Sequence, residues 1–501
     1  MIRMMRYALV ALVLVSSCPA GAEQQVDSLK YAKGAANWIL SLAGSNRDAL
    51  TWPVNDTDRK APAFDLYYGM PGGILLIAEL AKEDPSGPYA EALPRCVAGL
   101  EHMRVPTGIL DTRPRKTGAV PAPREVWGTT EGGSLKIVPG LYSGLSGIAW
   151  LYLELSRSTG DEKYKERARE IVEILLDRGI FKSDSSLWDN STDIISGASG
   201  TGLIFLRAYA VLRNPRCTVM AESAGDFLLE EAIQTIVGLK WKINSGAGTV
   251  YPNFAHGTAG VGYFLLRLYE VTKEKKYLDA AKDAVRELEA NADENSRRKT
   301  CAWFHHEGDG EDLYYAGWCH GPAGTARLFY ELARANLNRD VKPSSKRQEF
   351  TPFRMPDGRW LAPDKREIAD PMTRVDCAAN WLLTSGIPEP AKPIKGYWNE
   401  GICCGTAGVG EFFVDLYLAT KKPEYLKAAE RMALHLAKAA EPVGEGYRWI
   451  QAEDRISPQK KDAQTGYAQG AAGIGLFFLK LARAQRGETA GWQLPDNPFQ
   501  D

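Results

Sequence analysis

Two glycines three residues apart open an apolar stretch in seven segments of the chain. In each segment the residues that follow are apolar on nearly every side, which is typical of a buried helix. Glycine at a helix start permits close backbone approach and leaves the first helical N–H groups pointing outward. The segments are YYGMPGGILLIAEL (67–80), YSGLSGIAWLYLEL (142–155), ISGASGTGLIFLRA (195–208), AHGTAGVGYFLLRL (255–268), CHGPAGTARLFYEL (319–332), CCGTAGVGEFFVDL (403–416) and AQGAAGIGLFFLKL (468–481). The pattern therefore predicts seven buried helices, each preceded by a glycine turn.

A second, amphipathic helix is predicted after most of these stretches. The clearest examples are residues 161–179, 273–292 and 421–440, each with one charged face. Apolar inner helices ringed by amphipathic outer helices satisfy both patterns. The first motif glycines are 53 residues apart at the closest (Gly144 to Gly197) and 84 at the widest (Gly321 to Gly405), whereas tetratricopeptide arrays repeat about every 34 residues. We therefore predict an all-α fold, an α/α toroid of seven inner and seven outer helices with the glycine turns at one mouth.

Two polar, proline-containing insertions lengthen the repeats, at about residues 103–140 and 335–396. Long loops are uncommon without a function, so the insertions are candidates for lids or substrate rims, and plain surface excursions are the alternative. Six prolines argue against a long helix in the second insertion. We therefore expect no long helix between residues 335 and 396.

The N-terminus has the pattern of a signal peptide. Arg3 and Arg6 precede a short apolar run over residues 7–15, and Ala20-Gly21-Ala22 offers a cleavage site. We therefore predict a signal peptide over residues 1–22, a toroid domain over 23–501, and export to the periplasm or the extracellular space. The alternative is a lipobox that ends at Cys18, with a lipid on that cysteine. No other stretch is apolar enough to predict a transmembrane helix.

Composition narrows the class of partner. The chain has 501 residues, 45% of them hydrophobic and 25% charged, as expected for a soluble globular protein with a large core. Lys+Arg is 61 against Asp+Glu 62, so no basic surface for nucleic acid is indicated.

In each motif a residue with a polar, aromatic or thiol side chain lies directly before the first glycine. Those positions are Tyr68, Ser143, Ser196, His256, His320, Cys404 and Gln469. A ring of hairpins would bring them together at the mouth. Cys319, Cys403 and Cys404, with the two histidines nearby, therefore predict a site for one zinc ion with three protein ligands and one open position.

The alternatives for these cysteines are a vicinal disulfide between Cys403 and Cys404 or buried inert thiols. The other candidates for a disulfide are Cys96, Cys217, Cys301 and Cys377, and the sequence assigns no pairing among them.

With these turns the chain resembles the lanthionine synthetase C-like (LanC-like) family over about residues 27–484. The shared features are the seven glycine hairpins and the H-G, W-C-x-G and C-x-G loops. The resemblance implies a double ring of fourteen helices and a zinc ion held by Cys319, Cys403 and Cys404. Most members have histidine where this chain has Cys404. Three thiolates leave the zinc site with a net charge of −1, which weakens the metal as a Lewis acid and makes a bound thiolate more nucleophilic.

The resemblance also implies acid/base residues. Asp193 in DIISGASG and His256 in AHGTAG match the family motifs, and His320 resembles the W-C-H-G form of eukaryotic members. A histidine beside the metal suits proton transfer, and Asp193 could orient it. The alternatives are a helix cap for Asp193 and a structural role for His256. Tyr315 stands where bacterial cyclases often have arginine. We expect His305, His306, Glu307 and Asp309 to lie in a solvated loop.

The activity that the resemblance implies is thioether formation. A thiol activated by zinc would add to the β-carbon of dehydroalanine or dehydrobutyrine in a peptide, and His256 or His320 would protonate the product. The expected partners are a peptide with cysteine and dehydrated Ser/Thr, or a small thiol, with any dehydratase on a separate chain.

The sequence is also compatible with two other functions. One is a carbohydrate-active toroid, a glycoside hydrolase or epimerase with paired carboxylates among Asp65, Asp193 and Glu400. The other is a non-catalytic scaffold that binds zinc or thiols.

Overall fold

The computed structural model describes residues 26–45, 48–57, 62–110, 123–131, 134–178, 190–244, 248–335, 353–354, 360–361, 370–389, 399–451 and 462–500. Fourteen α-helices lie in these ranges. They are α1 Ser28–Ser41, α2 Met70–Glu83, α3 Pro88–Glu101, α4 Leu145–Thr159, α5 Glu162–Arg178, α6 Ala198–Leu212, α7 Pro215–Glu230, α8 Thr258–Thr272, α9 Lys275–Ala290, α10 Pro322–Arg334, α11 Pro371–Thr384, α12 Thr406–Thr420, α13 Pro423–Ala439 and α14 Ala471–Gln485. None of the described helices is long and apolar enough to cross a bilayer.

The seven glycine motifs build a closed inner ring. Helices α2, α4, α6, α8, α10, α12 and α14 each contact the next, and α14 contacts α2. Each begins directly after the first glycine of its motif. A β-carbon on the second glycine, for example Gly260, would overlap with the carbonyl oxygen of Phe254 six residues earlier. The predicted inner ring is confirmed, and glycine is required there because the backbone folds back onto itself.

The outer ring has one unexpected member. Helices α3, α5, α7, α9, α11 and α13 each pack on the inner helix that precedes them, as the sequence predicts. The seventh inner helix, α14, packs instead against α1 from the other end of the chain. The all-α toroid of seven inner and seven outer helices is confirmed, and its last hairpin is closed by the two ends of the domain.

Backbone hydrogen bonds join all seven glycine turns into a ring at the mouth. In most of these bonds the N–H donor and the carbonyl acceptor both belong to residues two positions before the first glycine of their motifs. The N···O distances are 2.9–3.1 Å. The bonds run from Tyr67 N–H to Tyr142, Tyr142 to Ile195, Ile194 to Ala255, Ala255 to Cys319, Cys319 to Cys403, Cys403 to Ala468 and Ala468 to Tyr67. This ring places side chains from distant repeats next to one another.

Short antiparallel strand pairs lie in the segments that connect the helices. The pairs are Gly44–Ser45 with Leu50–Thr51, Val105–Leu110 with Pro123–Val126, Thr129–Glu131 with Ser134–Lys136, Ile233–Gln234 with Leu239–Lys240, Asp293–Asn295 with Thr300–Ala302, Phe353–Arg354 with Trp360–Leu361, Glu441–Val443 with Gly446–Arg448, and Ile450–Gln451 with Asp462–Ala463. Four buried tryptophans near such strands donate their indole N–H to carbonyls near the C-terminal ends of outer helices, which satisfies groups that the helix leaves open. These are Trp127, Trp241, Trp303 and Trp449.

The expectation of no long helix between residues 335 and 396 is wrong. Helix α11, Pro371–Thr384, lies in that range and packs on α10 as the outer helix of the fifth hairpin. Pro371 occupies the first turn, where the missing N–H breaks no helical bond, and Asp370 caps the helix. Most of the remaining insertion, together with residues 1–22 and Cys18, lies outside the described residues.

Candidate metal centre

Three buried cysteines meet at the mouth of the toroid. The sulfur atoms of Cys319, Cys403 and Cys404 all lie within 4.8 Å of one another. The Sγ atom of Cys404 is 3.2 Å from that of Cys319 and 3.4 Å from that of Cys403. All three are free thiols, so the vicinal disulfide is not formed in this structure. The hydrogen bond with Cys319, together with burial, raises the pKa of Cys403 well above its usual value.

The arrangement of the three sulfurs fits a tetrahedral zinc ion. Zinc–thiolate bonds of about 2.3 Å require sulfur separations of about 3.8 Å. The separations from Cys404 to Cys319 and to Cys403 lie below this value, and all three sulfurs stay within 4.8 Å of one another. Cys319 and Cys403 are also fixed through their backbones by the N–H···O bond that joins their turns. The cluster is therefore a candidate metal centre with three thiolate donors.

Buried Asp193 and partly exposed His256 form a pair at the same mouth. The Oδ2 atom of Asp193 lies 2.6 Å from Nδ1 of His256, and its Oδ1 atom accepts from the backbone N–H of Ser196. Asp193 therefore organises its own turn and orients the histidine at once. Because a carboxylate only accepts, Nδ1 carries the proton and Nε2 of the neutral ring is an acceptor.

His320 lies between this pair and a second group of histidines. Its ring centroid is 5.3 Å from that of His256 and 4.2 Å from that of His305. The ring of Tyr251 contacts both His256 and His320. The three predicted acid/base residues, Asp193, His256 and His320, are thus brought together.

The expectation of a solvated loop for the second group is wrong for His305. This side chain is buried, and its Nδ1 atom lies 2.6 Å from Nδ1 of His306. His306 in turn contacts the exposed Asp309 through Nε2 at 2.9 Å. Two hydrogen bonds hold the loop inward: the His305 N–H donates to the carbonyl of Leu313, and the Asn253 amide donates to the carbonyl of His305.

Comparison with known proteins identifies the family. The family model for lanthionine synthetase C-like proteins matches residues 139–348 and 395–492, more than half of the chain. The chain belongs to the lanthionine synthetase C-like family.

Several solved structures are similar to this LanC-like chain, and the first of them shares its fold. Nisin cyclase is 18% identical, with a TM-score of 0.54, over 86% of this chain and 91% of that protein. The α-1,6-mannanase of Salegentibacter sp. HEL1_6 is 14% identical over 72% of this chain and 93% of its own length, with a TM-score of 0.42. Cellobiose 2-epimerase of Bacillus thermoamylovorans B4167 is 12% identical over 68% and 87%, with a TM-score of 0.43. No curated protein sequence matches the chain significantly.

Sequence reasoning missed a hydrogen-bond chain that leads to Cys403. The Gly401 N–H donates to Oδ1 of Asn399, whose amide donates to Oε1 of Gln469, whose amide donates to the Tyr67 hydroxyl oxygen. Since a backbone N–H can only donate, the direction of every bond in the chain is determined. Tyr67 keeps its own proton for the hydrogen bond to Cys403, which acts to lower the pKa of that thiol. Only its place before a motif glycine hinted at Gln469.

Tyr315 fills the position that is arginine in many bacterial cyclases. It is buried, and its ring lies 4.3 Å from that of His305 and 5.6 Å from that of His320. Tyr315 therefore makes an aromatic contact with two histidines of the mouth.

The three carboxylates considered for carbohydrate chemistry have different partners. Asp193 holds His256, and Asp65 accepts from the Tyr68 N–H at 2.7 Å, with burial raising the pKa of Asp65. Glu400 contacts Nε2 of His435 at 3.1 Å. Each of the three carboxylates contacts a different partner, so the structure gives no specific support to a carboxylate pair.

Proposed function

We propose that this protein is a zinc-dependent enzyme that forms thioethers by adding a thiol to dehydroalanine or dehydrobutyrine in a peptide. The observation that carries the proposal is that three clustered cysteine thiols and the Asp193–His256 pair lie on adjoining turns of one mouth. Membership of the LanC-like family supports it.

Cys319, Cys403 and Cys404 would hold the metal as thiolates. When bound, zinc supplies an open ligand position that takes a thiol and lowers its pKa. Three thiolates give the site one more negative charge than the usual pair of thiolates with a neutral imidazole. This charge favours a strong thiolate nucleophile over a strong Lewis acid.

We assign acceptance of the thiol proton to His256. Asp193 holds its Nδ1–H, so that Nε2 of the neutral ring is the basic atom. The new carbon–sulfur bond forms at the β-carbon as the carbon–carbon double bond breaks. The electron pair moves to the α-carbon and its carbonyl, and a proton from His320 or His256 completes the addition. No oxidant or reductant is needed.

The proposed substrate is a peptide whose serine or threonine has already been dehydrated by a separate enzyme.

The signal-peptide pattern over residues 1–22 supports export, so the reaction is proposed to take place in the periplasm or the extracellular space. N-terminal sequencing of the exported protein tests this part: Glu23 at the N-terminus agrees with cleavage, whereas a lipid on Cys18 indicates a tethered form.

The reaction can be tested with a peptide that carries one cysteine and one dehydroalanine. The addition changes no atoms, so the product has the substrate's mass and is detected by its loss of a thiol that iodoacetamide can alkylate. The wild-type protein loaded with zinc should form this product, and the C404A variant should not. The C217A variant, which removes a buried thiol of α7 away from the mouth, should behave like the wild type.

Two results would overturn the proposal. One is full thioether formation by C404A, and the other is no product from the zinc-loaded wild type. Tight thiol binding without turnover would instead indicate a scaffold, and oligosaccharide cleavage that survives a chelator would indicate a carbohydrate-active enzyme.

A further inference from the structure

The C-terminal segment, residues 488–500, enters the interior of the toroid. It begins beside the C-terminal ends of the inner helices, where Arg157 of α4 donates to the carbonyl of Gly491. It then runs inward, with Trp150 donating to Gln493 at 2.9 Å and Tyr263 to Pro495 at 3.2 Å. The segment therefore reaches the cysteine mouth from inside the ring.

Asp496 is the residue of this segment that contacts the mouth. Its carboxylate is fully buried and accepts three hydrogen bonds, each at 3.1 Å, from the Trp318 indole N–H, the Tyr142 hydroxyl and the Arg327 guanidinium. These donors come from two glycine turns and from helix α10. One carboxylate thus links the C-terminal segment to three parts of the inner ring.

Two of these donors belong to the ring of turns that positions the cysteines. Trp318 directly precedes Cys319, and its indole ring lies 4.9 Å from that of Tyr142. The backbone of Cys319 bonds to Cys403, and that of Tyr142 bonds to the neighbouring turns. A bond that fixes the Trp318 indole therefore also limits where the Cys319 backbone, and hence its sulfur, can lie.

A contribution to folding stability alone does not explain a buried carboxylate at position 496. Burial raises the pKa of Asp496, whereas Arg327, Tyr142 and Trp318 act to lower it. Well-packed apolar residues often replace a buried ion pair without loss of stability. Hydrogen bonds to a carboxylate are directional, however, and an apolar side chain could not orient the indole in this way.

We propose that Asp496 is a positioning residue of the metal centre. It holds the Trp318–Cys319 turn so that the Cys319 thiol stays beside Cys403 and Cys404. The C-terminal segment then helps to position a metal ligand and does not only pack inside the ring. This inference rests on the proposed function for the identity of the metal.

Metal affinity of the full-length protein tests the inference directly. Zinc affinity is measured by competition with a chromophoric chelator, and the visible spectrum of the cobalt-loaded protein reports the thiolate ligands. D496N and W318F should each lower zinc affinity about 10- to 100-fold, the usual effect of losing a group that orients a metal ligand. Because D496N weakens the bond that W318F removes, their effects should not add in the double variant.

Asp415 offers a matched control. It is a fully buried carboxylate that contacts the same C-terminal segment through Asn497 at 2.7 Å, and it pairs with Lys480 at 3.1 Å. D415N should reduce thermal stability but leave zinc affinity within about threefold and the cobalt spectrum unchanged. This result would separate positioning of Cys319 from general support of the segment.

The inference is overturned if folded D496N and W318F keep wild-type zinc affinity and the wild-type cobalt spectrum. W318F leaves the C-terminal segment intact. If D496N does not fold, the zinc affinity and the cobalt spectrum of W318F decide the question. A wild type that binds neither metal overturns the inference together with the metal site. A wild type that binds zinc but forms no thioether overturns only the proposed reaction.

Discussion

The backbone N–H of Cys319 donates a hydrogen bond of 3.1 Å to the carbonyl oxygen of Cys403, although 84 positions separate them in the sequence. Each of these cysteines lies two residues before a motif glycine, so the bond joins equivalent positions of two repeats. The same kind of bond recurs around the mouth. The candidate metal centre is therefore a local specialisation of a ring that serves all seven repeats.

Removal of the metal should destabilise the protein. Folding free energy includes the binding free energy of a structural or catalytic metal, because the ligand set does not exist in the unfolded chain. We expect the melting temperature of the zinc-loaded wild type to fall when a strong chelator is added, and that of C404A to be insensitive to the chelator. Differential scanning calorimetry with elemental analysis checks both. An equal response of the two proteins would argue against the site.

Asp193→Asn should impair catalysis without loss of zinc. The amide cannot enforce the Nδ1–H form of His256, and general acid/base catalysis is commonly worth about 10²- to 10⁴-fold. We expect a fall of at least about 100-fold in kcat with the zinc content unchanged. Asp65→Asn is the matched control, because Asp65 also accepts from its own turn but orients no histidine in the contacts described above. Equal losses in both variants would assign Asp193 a structural role.

Gly260→Ala should destabilise the toroid. The added β-carbon would overlap with the carbonyl oxygen of Phe254 and crowd Ile194 of the neighbouring repeat. Overpacking of this kind typically costs about 1–3 kcal/mol, which urea unfolding would measure. Gly44→Ala is the control, since a β-carbon there meets no atom within 4 Å and the backbone is not left-handed. A stability loss no larger than that of the control would contradict the packing argument.

The His435–Glu400 contact should make stability depend on pH. The hydrogen bond to Glu400 raises the pKa of His435 above its usual 6.5, and Glu389 adds to the effect. A raised folded-state pKa stabilises the protein fully below the unfolded-state value and loses this effect as pH rises through the folded-state value. The difference in free energy of unfolding between the wild type and His435→Gln should therefore be largest below about pH 6 and shrink toward alkaline pH. Chemical denaturation across this range checks the trend, and a pH-independent difference would contradict it.

The sequence by itself determined the architecture and the cysteine cluster. The glycine pairs and apolar runs are local signals that recur seven times, and seven hairpins of one apolar and one amphipathic helix favour a closed ring. Cys319, Cys403, Cys404, His256 and His320 were found because they occupy one or two fixed positions before a motif glycine. Equivalent positions in equivalent repeats must become neighbours once the ring closes.

Only the tertiary structure decided which other groups reach the site. His305 and Asp496 carry no periodic signal, and α1 precedes the first motif although it packs on the last inner helix. Their contacts arise from a loop folded onto the mouth, from a C-terminal segment that enters the interior and from the packing of α1 on α14. The physical reason is that repeat spacing encodes contacts between neighbouring hairpins, whereas groups brought in from outside the repeats are placed by packing alone.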